Sequence, residues 1–94
     1  MSAILIAKAK EVRDDGSIVE IVIWEVPNPV PPCTHYYKYR LYYGVFGTCR
    51  IRYDNERGKG DHCHHNDRES VYNFTTIEQL LTDFEQDVNE WSHL

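Results

Sequence analysis

Two strand-like runs open the chain, with a turn signal between them. Residues 4–12 begin apolar and then become mixed, and residues 17–26 are rich in Ile and Val with rough alternation. Asp14, Asp15 and Gly16 separate the two runs, and this combination of residues favours a tight turn. Strand-like runs joined by such a turn predict a β-hairpin.

A cluster of prolines follows the predicted hairpin. Proline lacks the backbone N–H group and its ring fixes φ, so neither a strand nor a helix can run through several prolines in close succession. We therefore expect a stiff, extended connector on the surface. Its prolines are Pro27, Pro29, Pro31 and Pro32.

A two-residue period, typical of a β-strand, returns in residues 37–43. Every second residue of this segment is Tyr or Leu, whereas the positions between them carry Lys38, Arg40 and Tyr42. One face of the predicted strand is therefore apolar and the other is cationic. The apolar face consists of Tyr37, Tyr39, Leu41 and Tyr43.

The same period continues after a predicted turn that Gly44 and Gly47 flank. It places Cys49, Ile51 and Tyr53 on the apolar face and the two arginines between them on the other face. The two segments thus predict a second hairpin with one apolar and one cationic face. The cationic face is predicted to consist of Lys38, Arg40, Arg50 and Arg52.

The C-terminal part of the sequence carries the clearest helical pattern. Thr75 and Glu78 fit a capping box, in which a Thr side chain and a Glu three residues later bond free N–H groups at the start of a helix. Apolar residues then recur at steps of three and four, along about four turns of an amphipathic helix. These residues are Ile77, Leu80, Leu81, Phe84, Val88 and Trp91.

Strands followed by one amphipathic helix indicate the α+β class. Hairpins build antiparallel sheets, and a single helix can cover only one face of such a sheet. We expect an antiparallel β-sheet of about four to six strands, with the C-terminal helix packed on one face and the other face open. A length of 94 residues allows one core, so residues 1–94 are expected to form a single domain.

Composition is that of a folded, soluble protein. With 41% hydrophobic residues, the chain has enough apolar material for a core. It lacks both an apolar run of the roughly 20 residues that a membrane span needs and a signal-peptide pattern, so we expect a cytoplasmic protein without a membrane partner. The three cysteines are widely spaced and include no CxxC pair, which predicts free thiols.

Charge is unevenly distributed along the sequence. The formal net charge is −5, yet seven of the ten Lys and Arg residues lie between Lys38 and Arg68, together with only four acids. After Arg68 there are six acids and neither Lys nor Arg. This distribution predicts a locally basic surface beside an acidic helix, which suits a protein that meets a polyanion on one side and a basic partner on the other.

Residues 53–65 concentrate the groups that can perform chemistry. Gly58 and Gly60 flank Lys59, and they permit a loop whose backbone amides and lysine hold a phosphate. If the residues after this loop are extended, His62 and His64 project from one face, about 6.5–7 Å apart along the strand. The other face then carries Asp61, Cys63 and His65.

These groups meet the requirements of RNA cleavage without a metal or another cofactor. The reaction needs a base for the 2′-hydroxyl proton, an acid for the leaving oxygen and cations for the phosphate. His62 and His64 can serve as base and acid because imidazole titrates near neutral pH. Lys59 and Arg57 can hold the phosphate, and Tyr53 can orient or donate. The predicted catalytic residues are His62, His64, Lys59, Arg57, Tyr53 and Asp61, and the predicted contacts to the RNA substrate are Lys38, Arg40, Arg50 and Arg52.

Two other functions fit the same segment. Imidazole ligands favour transition metals, so His62 and His64 can instead bind a divalent metal ion in a phosphodiesterase. Strict alternation directs Cys63 away from the two histidines, which leaves Asp61 or Asp54 as the third ligand. A module that binds nucleic acid or protein without catalysis is the remaining alternative.

Three stretches of this sequence resemble the signature of the TumE-like family. They are Lys38 to Leu41 (KYRL), Tyr53 to His62 (YDNERGKGDH) and His64, and the resemblance extends over nearly the whole chain. It implies the toxin of a type II toxin–antitoxin pair, with a cognate helix-turn-helix antitoxin as its partner. A homodimer is a further expectation. Cys63 departs from the family pattern, which has Arg at this position.

Overall fold

Six antiparallel strands and one helix make up the computed structural model, which describes residues 2–93. The strands lie in the sheet in the order in which they occur along the chain, so every strand pairs with its sequence neighbour. This architecture confirms the predicted α+β class and the predicted antiparallel sheet. The elements are β1 (Ile4–Val12), β2 (Ser17–Glu25), β3 (Tyr37–Val45), β4 (Thr48–Glu56), β5 (Gly60–His65), β6 (Arg68–Val71) and α1 (Ile77–Ser92).

Helix α1 packs on one face of the sheet and leaves the other face open, as the pattern predicts. Leu80, Phe84 and Val88 form its buried stripe. Full burial of one such side chain contributes roughly 1.5–3 kcal/mol to the free energy of unfolding. These three side chains therefore hold the helix on the sheet. The sheet residues of the core are Ile23, Tyr39, Leu41, Tyr43, Ile51, Tyr53 and Cys63.

The proline segment between β2 and β3 contains neither strand nor helix, as predicted. It folds against the turn between β4 and β5, where the Pro31 carbonyl accepts a hydrogen bond from the Gly58 N–H at 2.7 Å. All three cysteines are free thiols. No helix within residues 2–93 is long and apolar enough to cross a membrane.

The turn between β3 and β4 differs from the prediction. Phe46 and Gly47 both have positive φ and form the turn, whereas Gly44 lies inside β3. The prediction that Gly44 flanks the turn is therefore wrong. A side chain at Gly44 would collide with the ring of Tyr42, so this glycine is needed for close packing within the sheet.

A β-bulge in β4 reverses the faces of two residues. Tyr43 pairs with Ile51 but Gly44 pairs with Cys49, so Arg50 is an extra residue on β4. The Arg50 guanidinium lies 5.1 Å from the ring of Trp91 on α1, which places it at the covered face. The predicted positions of Arg50 beside Arg52 and of Cys49 beside Ile51 are therefore wrong.

A side-chain amide extends the pairing of β3 with β4. The last Cα pair of these strands is Arg40 with Asp54. Beyond it, the fully buried Asn55 accepts a hydrogen bond from the Tyr39 N–H at 3.0 Å and donates to the Tyr37 carbonyl at 2.8 Å. Asn55 thus satisfies two backbone groups where the strands separate.

Helix α1 is capped one residue later than the capping box predicts. The Thr76 hydroxyl accepts a hydrogen bond from the Gln79 N–H at 3.1 Å, and Thr76 has the extended backbone of an N-cap. The predicted cap at Thr75 is therefore wrong. Thr75 with Glu78 and Thr76 with Gln79 both fit the Thr-x-x-Glu/Gln pattern, so spacing alone could not choose between them.

Replacement of the two threonines distinguishes these caps. We expect Thr76→Ala to lower the free energy of unfolding by about 1 kcal/mol, because the Gln79 N–H loses its acceptor. Thr75→Ala should change it by less than about 0.5 kcal/mol. Urea denaturation of both variants measures the difference, and a larger loss in Thr75→Ala would contradict the assigned cap.

Candidate functional site

The pairing of β4 with β5 assembles a polar cluster on the open face. Arg52 lies opposite His64, and Asp54 lies opposite His62. Because side chains alternate between the two faces of a strand, these four side chains share the face that α1 does not cover. We call this group the open-face centre: Arg52, Asp54, His62 and His64.

His62 is held tightly between two oxygen atoms. Its side chain is only 3% exposed, and its Nε2 atom lies 2.5 Å from Asp54 Oδ1. Its Nδ1 atom lies 3.0 Å from the Gly60 carbonyl oxygen. A carbonyl oxygen can only accept a hydrogen bond, so Nδ1 carries a proton and Nε2 is the ring nitrogen that faces the carboxylate.

The contact between His62 and Asp54 lacks the geometry of a hydrogen bond. His62 Nε2, Asp54 Oδ1 and Arg52 Nε are all buried, and none of them has a hydrogen-bond partner. Buried polar atoms without a partner are rare and costly in folded proteins. These three atoms therefore leave hydrogen-bonding capacity unused at the centre.

Arg52 links the two sides of the centre. Its Nη2 atom donates to His64 Nε2 at 2.8 Å, and its Nε atom lies 3.1 Å from Asp54 Oδ2. Burial, and after it the charge of Arg52, lowers the pKa of His64 below its ordinary value. His64 is more accessible than His62, with 17% of its side chain exposed.

Charged residues surround the centre. Lys59 Nζ forms an ion pair with Glu69 Oε1 at 2.6 Å, and Glu69 Oε2 lies 3.7 Å from His64 Nε2. Glu56 Oε1 lies 4.0 Å from His62 Nε2. Arg57 is exposed in the turn between β4 and β5. The rim therefore contains both cations and carboxylates.

The backbone amides of this turn already have partners. The N–H of Gly58 bonds the Pro31 carbonyl, and the N–H of Lys59 bonds the Glu56 carbonyl at 3.0 Å. Gly58 and Gly60 have positive φ as expected, and Gly60 also packs closely against the proline connector, where a side chain would crowd Pro32. The loop amides thus do not form the predicted phosphate cradle.

Lys38 and Arg40 lie on β3 beside the centre. Arg40 pairs with Asp54 across the strands, and its guanidinium lies 5.1 Å from the ring of Tyr42. Lys38 Nζ donates to the Asn55 carbonyl. The open face therefore carries Lys38, Arg40 and Arg52 as predicted, without Arg50.

Tyr53 lies on the covered face, away from the centre. Its hydroxyl donates to Asp87 of α1, and burial together with this bond raises its pKa above the ordinary value. A phenol in this position does not donate a proton near neutral pH. The structure thus does not bring Tyr53 together with His62 and His64.

Asp61 also lies on the covered face, in a second polar cluster. Its carboxylate accepts hydrogen bonds from Tyr39 at 2.6 Å, from His35 at 2.8 Å and from the Cys33 thiol at 3.4 Å. His35 and Cys33 come from the connector, 26 and 28 residues away in the sequence. Sequence reasoning missed this cluster, because no spacing pattern connects the connector with β5.

The carboxylate that lies with the two histidines is therefore Asp54. Side-chain atoms of Asp54, His62 and His64 that can ligate a metal all lie within 4.8 Å of one another. The predicted metal set of His62, His64 and Asp61 is not assembled, because Asp61 projects from the opposite face. Glu69, which the sequence did not single out, adds a carboxylate to the rim.

Comparison with known proteins identifies the family. A family model described as Toxin TumE matches residues 2–92 of the 94-residue chain. No curated protein and no solved structure matches the chain. The matched region contains every strand, the helix and the open-face centre, and the chain belongs to the TumE toxin family.

Proposed function

We propose that this toxin is an endoribonuclease whose active site is the open-face centre. The toxin role itself, and with it the need for an antitoxin partner, follows from the family. The observation that supports the proposed activity is the grouping of three cations and two imidazoles on the uncovered face of the sheet. RNA is a polyanion, so this face suits its backbone better than the acidic surface of α1 does.

The cations of β3 and β4 would bind the RNA substrate. Lys38, Arg40 and Arg52 occupy adjacent strands, whose spacing is about 4.8 Å. Arg52 is the cation nearest to both histidines. A guanidinium presents several N–H donors to phosphate oxygens, and in this position Arg52 would hold the phosphate that undergoes cleavage.

Proton transfer by His62 meets an obstacle. Both of its ring nitrogens face oxygen atoms of the protein, and its side chain is almost fully buried. A base or acid needs a nitrogen within hydrogen-bond reach of the substrate. Activation of the 2′-hydroxyl therefore requires either His64 alone or an additional group bound at the centre. That His62 and His64 serve as base and acid without a metal stays a prediction.

The partner that we propose is a helix-turn-helix antitoxin, which meets the acidic side of the toxin. Helix α1 has acidic residues on its exposed surface, and neither Lys nor Arg follows Arg68 in the sequence. DNA-binding proteins carry basic surfaces, so the charges are complementary. An antitoxin bound at α1 would then inhibit the toxin either without contact to the open face or through a separate segment that covers this face.

The two arginines of β4 provide a matched test of the active site. We expect Arg52→Gln to slow cleavage of total RNA by about 100-fold or more. The reason is that the negative charge that develops on the phosphate in the transition state loses a charged hydrogen-bond donor. Arg50→Gln should retain the activity, since Arg50 contacts Trp91 on the covered face. Gel analysis of RNA incubated with each purified variant measures the effect.

Equal loss in both variants would point to a general effect of charge or folding and would contradict the assigned site. Circular dichroism of each variant controls for folding. If neither the natural chain nor its variants cleave RNA while all of them arrest growth on expression, the toxin acts by binding and the proposed activity is wrong.

Salt dependence tests the proposed RNA surface. For single-stranded RNA, each phosphate contact contributes about 0.7 to the slope of log affinity against log salt concentration. The double variant Lys38→Gln, Arg40→Gln should therefore reduce this slope by about 1.4. Arg13→Gln is the control, because Arg13 pairs with Glu11 near the first hairpin turn. Fluorescence anisotropy with a labelled single-stranded RNA measures the slopes, and an unchanged slope in the double variant would exclude this surface.

A further inference from the structure

The open-face centre has the donor atoms of a metal site. Asp54, His62 and His64 offer one carboxylate oxygen and two imidazole nitrogens within 4.8 Å of one another. Two nitrogens and one oxygen suit divalent transition metals such as Zn²⁺, Co²⁺ or Ni²⁺ better than Mg²⁺ or Ca²⁺, which prefer oxygen alone. We infer that Asp54, His62 and His64 bind one divalent transition-metal ion.

The tautomer of His62 fits this role. Metal-binding histidines usually donate their other ring N–H to a backbone carbonyl or carboxylate, which fixes the ring and directs a lone pair at the ion. His62 has this arrangement, because Nδ1 donates to the Gly60 carbonyl and Nε2 points at Asp54. A ring positioned in this way can accept a metal ion without a change of tautomer.

Two of the three buried atoms of the centre that lack hydrogen-bond partners also support a metal site. His62 Nε2 and Asp54 Oδ1 are 2.5 Å apart and face each other. Two ligands at about 2.1 Å from a tetrahedral ion lie roughly 3.4 Å apart. Entry of an ion would thus separate the pair by somewhat less than 1 Å, which rotation of the Asp54 side chain can provide, and would give both atoms a partner.

Carboxylates and cations both lie around the centre. The carboxylates of Asp54, Glu56 and Glu69 lie near the imidazoles, and the nearby cations are Arg52, Lys59 and Arg40, the last of which pairs with Asp54 across the strands. Lys59 is already paired with Glu69. Opposite charges in close contact stabilise one another most where solvent is excluded, as it is around His62.

Arg52 competes for the same atoms. It donates to His64 Nε2 and approaches Asp54, so its guanidinium occupies part of the space that a metal ion needs. An ion can bind only if Arg52 swings away, and the proposed phosphate contact gives the side chain a new partner. Removal of the Arg52 charge should therefore strengthen metal binding, a result that a purely structural ion pair would not give.

The second polar cluster serves as an internal comparison. Cys33, His35 and Asp61 also place three potential ligand atoms within 4.8 Å. Here, however, His35 Nδ1 accepts the Tyr37 N–H at 3.2 Å, so the nitrogen that faces Asp61 carries the proton. Asp61 already has three donors. This cluster is a satisfied hydrogen-bond network and lacks a lone pair directed at an ion.

The inference also addresses the proposed activity, and that part rests on the proposed function. A bound ion would act as a Lewis acid that stabilises charge on the phosphate and polarises the 2′-hydroxyl, whose proton would pass to solvent, so that the buried His62 need not carry a proton. Arg52 and the ion would then act on the same phosphate group. Metal binding itself does not depend on whether RNA is the substrate.

Titration of the metal-free, tag-free protein with Co²⁺ and Zn²⁺ tests the site. We expect one equivalent of Co²⁺ to bind, with visible absorption from nitrogen and oxygen ligands and without a thiolate charge-transfer band. Calorimetry with Zn²⁺ gives the affinity. Asp54→Asn and His64→Ala should each weaken binding by about 10- to 100-fold or more.

The matched control is Asp61→Asn, which makes the same chemical change on the opposite face. It should leave the affinity within about threefold of the natural chain, and Arg52→Gln should increase the affinity. Circular dichroism establishes that each variant is folded. His64→Ala keeps the test valid even if Asp54→Asn fails to fold, because His64 is partly exposed.

Three results would overturn the inference: absence of binding, a thiolate band, or loss of binding in Asp61→Asn but not in His64→Ala. The proposed activity is measured separately. One-equivalent binding at the centre without RNA cleavage supports the metal site and refutes the endoribonuclease, whereas cleavage that persists in chelator without any metal binding does the reverse.

Discussion

The register of β4 against β5 is the constraint on which the rest of the site depends. It sets Asp54 against His62 and Arg52 against His64, and it sends Tyr53 and Asp61 to the other face. A shift of one residue would exchange the two sets, because side chains alternate with a period of two. The hydrophobic core resists such a shift, since Tyr53 and Cys63 are buried under α1. The packing of one face thus determines the composition of the other.

Most of the fold follows from periodicity. The two-residue period of β3, the turn after β1 and the three- and four-residue steps of α1 are readable because each reflects local geometry. The bulge at Arg50 is not readable in this way. It arises where β4 must pair with β3 immediately after the turn at Phe46 and Gly47, and an extra residue in one strand leaves no mark in the order of apolar and polar residues.

The candidate site is predictable only in part for a similar reason. His62 and His64 are two residues apart on one strand, so their common face can be inferred from the sequence. Asp54 and Glu69 join them from neighbouring strands. That these carboxylates lie beside the histidines, and Asp61 does not, depends on the register of the strands. The cluster of Cys33, His35 and Asp61 depends on how the connector folds back, which no periodic pattern records. The two clusters contain similar residue types. Their hydrogen bonds distinguish them, because the groups of one cluster all have partners and those of the other do not.

The order of the strands also bears on how quickly a toxin can fold during synthesis. Neighbouring strands pair as they emerge, with little entropy lost in closing loops, which favours rapid folding. The core is nevertheless incomplete until Phe84 and Val88 have been made, because these residues cover the sheet. A growing chain therefore presents its sheet with one face bare. Folding can be completed only after α1 has been made, so the helix that conceals the apolar face also sets the moment at which the toxin acquires its finished structure.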